Sequence, residues 1–551
     1  MLLTNYIYFG IFGTFFSFKS LGLAGEAQGY FKIIFDYMDM SLIIVILISI
    51  GLGILACRFM PKDKIRGDKI LSLLLILSSL SCYGAARSFL GEAADINEWD
   101  TWTNKRNVYN SFSDTRKSLQ TSGFYEYTMR DIYLSKIQVL FENNEEDIAY
   151  LNKYYESYDS TEKFSSEKDS VSSDGLKGIF KDKNIILVLM ESVDNWMVND
   201  ELMPTLTRLM EEGINFTNHY SPIYGGGATF NAEFMLNTGY MTPLNGENAS
   251  NKYGHNYFPY SLPNLFANSN YNVNSFHENV SSFYNRGQMS KAFGYENYYS
   301  SVELGVPLAD AVKDSHFITN DKIRNLLFKE NGKTMNFITT YTTHTPYTIR
   351  DVQCSETITE KDLILIEKGS NEEELCVKAQ ARETDNFFHK LIEHLDKEDI
   401  LDKTIIIGVT DHYAYGYSNK EKLHALKGTD DPNFMSNLPF FIWGNNIPKA
   451  EITKVNNNLD VLPTIAYLFG LDYEEKHYVG KNIFDPNYEG FVFFPDHSWY
   501  DGNIYYKDGH VLLGEQVEQE YINSRNKQLR TILDVNDKVL NTDYFRILST
   551  K

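Results

Sequence analysis

The chain has 551 residues, 43% of them hydrophobic, and carries 51 basic against 73 acidic side chains for a net charge of −22 at pH 7. That length exceeds one ordinary domain, and so large an acidic excess excludes a general nucleic-acid binder. Only four cysteines occur and none forms a CxxC, which excludes a zinc ribbon.

The chain opens on apolar sequence. Residues 2–18, 41–57 and 70–86 are three 17-residue runs without a charge, near the lower limit for crossing a bilayer, and they predict three membrane helices within residues 1–90. The second and third flank "RFMPKDKIRGDK", with five basic and two acidic residues. Short basic loops stay in the cytoplasm, so the chain beyond about residue 91 is expected outside the cell. A long apolar pair around a basic hinge argues against buried core helices. No basic residue precedes the first run, which fits a cleaved signal peptide poorly. Residues 1–90 hold 8 basic and 5 acidic side chains, leaving 43 and 68 for the outer portion, a net −25. An anionic substrate there needs a metal and specific Arg, Lys or His groups to reverse the field locally.

Residues 91–180 read as a helical connector followed by a flexible linker, because "YDSTEKFSSEKDSVSSDGLKG" has almost nothing to bury. From 181 to 551 the pattern changes. "NIILVLM" (184–190), "MNFITTYT" (335–342) and "KTIIIGVT" (403–410) are continuous apolar strands suited to a parallel sheet buried on both faces, with helical segments such as "PTLTRLMEEG" and "TDNFFHKLIEHLD" between them. That alternation predicts an α/β sandwich. Cys354 and Cys376, the only pair in the outer portion, can close a polar excursion as a disulfide or stay two thiols; spacing does not choose.

Ligands in open α/β sheets bind beyond the carboxyl ends of strands. Glu191 follows the first strand, Asp411 and His412 follow the third, and His344 follows the second. Glu191, Asp411 and His412 form an O,O,N set suited to Mn²⁺, Mg²⁺ or Zn²⁺. The set lacks a fourth ligand, which Thr229, in "GGGATFNAEF", could supply, and a hydroxyl on a divalent cation loses its proton more readily and becomes a nucleophile. A Thr ahead of a helix is ordinarily a cap, but Glu233 lies four residues on rather than the three a capping box needs. The glycines and helix start suit a phosphate, yet the Lys-Ser/Thr of a nucleotide P-loop is missing.

These segments, with "SFHENVSSFYNRGQM", "TTHTPY", "TDHYAYG", "NLPFFIWG" and "DVLPTIAYLFGL" in that order, resemble the lipoteichoic acid synthases, membrane-anchored phosphoglycerol transferases of the sulfatase and alkaline phosphatase superfamily. The resemblance spans about 184 to 485 and implies a sulfatase-like α/β fold with a mostly parallel central sheet. It implies a bacterial membrane location with the catalytic domain outside. Glu191, Thr229, Asp411 and His412 would hold one Mn²⁺, with Thr229 as nucleophile. His277, Tyr284 and Arg286 would line the glycerol-phosphate subsite, and His344 would serve the leaving or attacking oxygen. Donor and acceptor would be phosphatidylglycerol and a glycolipid, polyglycerol phosphate or glycan, with neither nucleic acid nor nucleotide as partner.

The chain departs from the family pattern at Phe230-Asn231, where Ser-Asp is usual, at Tyr284, where Trp is usual, and in showing three apolar runs rather than five helices. A formylglycine sulfatase needs Cys or Ser in C-x-P-x-R, which is absent. A phosphoethanolamine transferase or phosphodiesterase of the same superfamily is the alternative enzyme. An inactive surface-binding module is the alternative of another class, and it is expected to have lost a metal ligand, whereas all four are present.

Overall fold

The computed structural model describes residues 4–6, 15–16, 18, 40–59, 69–93, 104–111, 115–134, 144–165, 175–225, 227–244, 249–281, 283–306, 313–328 and 332–550. It divides into two compact units, Met1–Leu140 and Phe141–Lys551.

In the first unit, the second and third apolar runs form the helices Met40–Phe59 and Lys69–Ser88, each of 20 residues. The first run lies mostly outside the described residues. Leu47, Ile54, Ile70 and Leu75 are more than half exposed. Among the described residues no helix is long and apolar enough to cross a membrane, several side chains of both helices lying outside the description. Two further helices, Lys105–Ser111 and Thr115–Ile132, follow.

The second unit carries β1 (Asn184–Met190), β2 (Ile214–Phe216), β3 (His219–Tyr220), β4 (Asn272–His277), β5 (Asn297–Tyr299), β6 (Thr334–Thr339), β7 (Thr404–Thr410), β8 (Phe440–Trp443), β9 (Ala450–Ile452), β10 (Asn456–Asn457), β11 (Val492–Phe493), β12 (Trp499–Tyr500), β13 (Tyr505–Lys507) and β14 (His510–Leu513). The main sheet has eight strands in the order β5-β4-β6-β1-β7-β8-β2-β9. Its centre is parallel, with β1 between β6 and β7, and only β8 runs antiparallel to both of its neighbours. The fold is therefore the mostly parallel α/β sandwich that the apolar runs predict. A separate four-stranded antiparallel sheet, β11 to β14, lies toward the C-terminus.

Central strands are apolar on both faces because both faces are covered. In β1, Ile186, Val188 and Met190 join a core with Leu206, Phe388 and Leu391, while the alternating Ile185, Leu187 and Leu189 are equally buried. Each such side chain contributes about 1.5–3 kcal/mol through burial. The helix Glu372–Lys397 brings Phe388 and Leu391 to this core and also stabilises a neighbour. Its Asp385 accepts the amides of Thr205 at 3.2 Å and Leu206 at 2.8 Å, at the start of the helix Pro204–Glu212, which has no side-chain cap of its own. Cys354 and Cys376 form a disulfide joining that long helix to Val352–Thr357.

One boundary differs from the sequence expectation, and the difference bears on function. The run 335–342 leaves the sheet after Thr339, because its last residues bind elsewhere. The Thr340 hydroxyl accepts the Glu191 amide at 2.8 Å, and the amides of Tyr341 and Thr342 donate to Asp314 at 2.7 and 3.1 Å.

Candidate active site

Parallel pairing puts the carboxyl ends of β1, β6 and β7 side by side, and β4 pairs with β6 in the same direction. Glu191 follows β1 directly, Asp411 and His412 follow β7 directly, and His277 is the last residue of β4. Thr229 arrives from elsewhere. It sits in the first turn of the helix Ala228–Thr238, whose N-cap is Gly227, so Thr229 is inside the helix rather than its cap.

These residues converge. The Thr229 hydroxyl donates to Glu191 Oε2 at 3.1 Å and lies 3.5 Å from His412 Nε2. His412 Nε2 is 3.4 Å from Glu191 Oε1 and 3.2 Å from Asp411 Oδ2. Glu191, Asp411 and His412 are all buried and offer ligand atoms within 4.8 Å of one another, forming the one such group of His, Cys, Asp and Glu among the described residues.

The protonation pattern suits a cation. The Nδ1–H of His412 faces the Tyr413 carbonyl at 3.0 Å, which turns the Nε2 lone pair toward the carboxylates. Burial holds the His412 imidazole below its ordinary pKa despite the Glu191 charge. Burial and the neighbouring Glu191 push Asp411 well above the usual carboxylate range. Burial also opposes ionisation of Glu191, but His412, His344 and the Ser192 hydroxyl outweigh it and hold Glu191 low. Asp411 Oδ1 accepts two amides, Ser192 at 2.8 Å and His412 at 2.7 Å, whereas Asp411 Oδ2 is buried with no hydrogen bond. Two carboxyl groups, a hydroxyl and an imidazole nitrogen converging on one point, with Asp411 Oδ2 unpartnered, fit a divalent metal.

A second set of groups lies beside this cluster. His277 Nδ1 donates to the Thr339 carbonyl at 3.0 Å. Burial, then the charge of Arg286, lower the His277 pKa to about 3, so the ring is neutral with Nε2 as an acceptor. Tyr341 bridges the two histidines, its ring 5.8 Å from His277 and 5.5 Å from His344. Arg286 is 2% exposed and its guanidinium lies 5.1 Å from the Tyr284 ring centroid. Its Nε donates to Glu233 Oε2 at 2.7 Å, so one arm of the fork is already engaged and the Nη end is left for an anion.

The turn presenting these groups is strained. Tyr284 and Asn285 are consecutive left-handed residues at φ 52° and 49°, a conformation that costs about 1–3 kcal/mol each. It lays the Tyr284 ring against Gly227, where a Cβ would meet Tyr284 Cε1 at 2.8 Å; with φ at +85°, only glycine fits. The unusual pair after Thr229 also acquires roles. Phe230 packs on Tyr284 with ring centroids 5.8 Å apart. Asn231 pins the glycine loop, donating to the Pro222 carbonyl at 2.9 Å and accepting from the Thr242 hydroxyl at 2.7 Å and the Tyr224 amide at 3.3 Å.

A model of the sulfatase family matches residues 183–471, more than half of the chain. The chain belongs to the sulfatase family. Along nearly its whole length it is similar to lipoteichoic acid synthases, 23% identical to that of Staphylococcus saprophyticus and 24% to that of Staphylococcus aureus, in each case over 99% of this chain and 83% of the relative. Among solved structures, the lipoteichoic acid synthase LtaP from Listeria monocytogenes matches with TM-score 0.57 and 20% identity, over 68% of this chain and 96% of that one. An alkaline phosphatase superfamily protein from Vibrio parahaemolyticus matches with TM-score 0.52 and 17% identity, over 69% of this chain and 94% of that one. Both structures share the sulfatase-type fold.

Three contributors to the site were not singled out from sequence. Glu233 is one helical turn after Thr229 and balances Arg286, and its i,i+4 spacing was a usable signal. Ser192, at φ 52°, gives its hydroxyl to Glu191 Oε1 at 2.8 Å and its amide to Asp411, joining the two carboxylates, and nothing in the sequence announces its backbone conformation. Tyr341 was hidden inside an apparent strand.

Proposed function

We propose that the chain is a phosphoglycerol transferase that moves glycerol phosphate from phosphatidylglycerol to an acceptor hydroxyl through a covalent glycerophospho-threonine at Thr229. The observation that carries this reading is the Thr229 hydroxyl, placed at a helix N-terminus and donating to Glu191 within the buried Glu191, Asp411 and His412 cluster. Full-length similarity to lipoteichoic acid synthases supports the choice of phosphoglycerol.

Glu191, Asp411, His412 and Thr229 would hold one divalent cation, with Mn²⁺ preferred over Mg²⁺ or Zn²⁺. When bound, it supplies positive charge that acidifies the Thr229 hydroxyl and offsets charge on the phosphoryl group. In the first step a Thr229 Oγ–P bond forms and the P–O bond to diacylglycerol breaks. The Thr229 hydroxyl gives up its proton to solvent, and the leaving oxygen takes one from His344. His277, neutral with a free Nε2, accepts a hydrogen bond from a glycerol hydroxyl, while the Nη end of Arg286 holds the non-bridging oxygens. In the second step an acceptor hydroxyl attacks the phosphorus and passes its proton to His344, the Oγ–P bond breaks and Thr229 regains a proton from solvent.

The helices Met40–Phe59 and Lys69–Ser88, with their exposed aliphatic side chains, are read as membrane spans, and residues 2–18 as a third. This anchors the catalytic unit at the outer leaflet, where the donor lipid lies. The acceptor class is a glycolipid, a glycerol-phosphate chain or a glycan.

The test is mass spectrometry of the full chain after incubation with phosphatidylglycerol and Mn²⁺. A glycerophosphate adduct on Thr229 is expected. An unmodified Thr229 overturns the reading, and a phosphoethanolamine adduct from phosphatidylethanolamine replaces it with the alternative transferase.

A further inference from the structure

Three arginines of the first unit meet around one tyrosine, and none of them has a part in the reaction. Tyr109 is buried, in the helix Lys105–Ser111. The Arg130 guanidinium carbon lies 4.2 Å from its ring centroid and that of Arg87 5.0 Å, while Arg87 also covers the Tyr83 ring at 5.6 Å. Arg106, three residues before Tyr109, donates through Nε to the Gly91 carbonyl at 2.9 Å and through Nη2 to the Arg87 carbonyl at 2.8 Å. Those bonds close the carboxyl end of the helix Lys69–Ser88.

The charge of this cluster is not met inside the protein. A ring contact engages the face of a guanidinium and leaves its N–H edge available. Among the described residues neither Arg87 nor Arg106 has a carboxylate partner, and the Arg87 guanidinium makes no hydrogen bond. The neighbouring carboxylate, Glu126, is taken up by two phenols, since its Oε1 accepts the hydroxyls of Tyr83 and Tyr109. Like charges drawn to one ring repel each other, and an anion between their N–H edges replaces that repulsion with charge-assisted hydrogen bonds.

The position of the cluster says which anion. Leu73, Leu74, Leu75, Ile76 and Leu77 are each at least 50% exposed, and five consecutive helical residues cover every side of a helix. A helix that is apolar all round and open on every side suits acyl chains. Arg87 lies about 21 Å along the axis from Leu73, near one face of a hydrocarbon layer about 30 Å thick. Phe89, two residues after Arg87, and Tyr125 and Met129, on the helix that carries Arg130, are half or more exposed, as interfacial side chains are. The expected orientation puts this end outside the cell, against the cytoplasmic bias of basic residues, so topology does not account for the cluster.

We propose that Arg87, Arg106 and Arg130 form a binding site for the phosphate of a phospholipid headgroup at the outer membrane face. The proposal rests on the reading of Lys69–Ser88 as a membrane span, and it is independent of the transfer chemistry at Thr229. A free phosphate ion offers the same oxyanion; the exposed apolar helix leading up to the cluster favours the lipid.

Native mass spectrometry of the full chain in detergent, without added metal, reads the bound lipid. The probes are dioleoylphosphatidic acid, which has no headgroup glycerol to transfer, dioleoylglycerol, which has the same acyl chains and no phosphate, and inorganic phosphate. One phosphatidic acid per chain is expected to be retained, at least tenfold more tightly than dioleoylglycerol. Arg87→Gln is expected to weaken it about tenfold while leaving the melting temperature nearly unchanged, because no hydrogen bond within the chain is lost. Equal retention of dioleoylglycerol, or Arg87→Gln without effect, would overturn the site. Displacement of the lipid by millimolar inorganic phosphate would assign the cluster to a free anion and overturn the lipid. Carbonate extraction of membranes tests the span by itself: parent and variant are both expected to stay in the pellet, and release of both would overturn the span and the site with it.

Discussion

Two buried carboxylates in the second unit have opposite surroundings. Asp411 leaves Oδ2 without a partner, facing another carboxylate and an imidazole lone pair. Asp460 has both oxygens engaged, completing a capping box with Asn457 and accepting from Lys481 and Tyr488. Burial raises the pKa of both. A raised pKa therefore does not distinguish a reaction centre from a structural joint. What distinguishes them is whether the hydrogen-bonding capacity is used up inside the protein.

The largest effect expected on the reactive side is at Thr229. Thr229→Ala removes the nucleophile, and turnover of phosphatidylglycerol is expected to fall by roughly 10³-fold or more. Stability is expected to change by only about 1 kcal/mol, since one hydrogen bond to Glu191 is lost. Lipid turnover assays beside urea melts check both, and full activity would remove Thr229 from the mechanism.

Next in size is the ion pair behind it. Glu233 and Arg286 are both nearly fully buried, so Glu233→Ala leaves a guanidinium uncompensated and is expected to destabilise the unit by about 3–5 kcal/mol. Glu233→Gln, which keeps an acceptor for Nε, is expected to cost less. Equal losses in denaturant midpoint for the two would show that packing rather than charge holds the pair.

Asp411→Asn sharpens the comparison, because its two expected effects have opposite signs. The substitution keeps Oδ1 for the Ser192 and His412 amides and turns the orphaned oxygen into a donor toward His412 Nε2. Without metal the variant is expected to be more stable than the parent by about 1–2 kcal/mol. Added Mn²⁺, which is expected to raise the melting temperature of the parent, is expected to leave the variant unmoved. A destabilised metal-free variant would mean that Asp411 is a structural joint like Asp460.

Much of this contrast was legible in the sequence, and the part that was not has a physical reason. Chain order and strand ends located Glu191, Asp411 and His412, because unbroken apolar runs mark buried parallel strands and their carboxyl ends mark the site. The first strand emerges where its run placed it, and the ends of the other two lie within three residues of theirs. The exit of β6 at Thr339 was hidden, since "TTYT" has strand propensity and is pulled away only by Glu191 and Asp314. Phe230 and Asn231 looked anomalous beside Thr229. Their partners, Tyr284 and Thr242, are brought to them only by tertiary contact. The Cys354–Cys376 bridge was open in sequence because spacing of 22 residues fits a bond and free thiols equally.

The smallest expected effect belongs to Asp460 and appears as a pH slope. The folded chain keeps this carboxyl protonated up to about pH 7, whereas an unfolded chain releases the proton near 4. Between those values the folded state binds the extra proton, so the contribution of Asp460 to stability is full below about pH 4 and declines as pH rises toward 7. The decline is at most about 1.4 kcal/mol per pH unit, and coupling to Tyr488 and Lys481 makes it smaller. Urea midpoints of the parent and of Asp460→Asn, measured from pH 5 to 8, isolate it: the variant is expected to show the flatter dependence. Because the side-chain amide of that variant retains one acceptor oxygen, the bonds from the Asn457 amide and the Tyr488 hydroxyl, which share Oδ2, survive while the amide of Lys481, on Oδ1, loses its partner. The variant is therefore also expected to be less stable at pH 5, the reverse of the metal-free Asp411→Asn, and parallel slopes in the two proteins would assign the titration to another group.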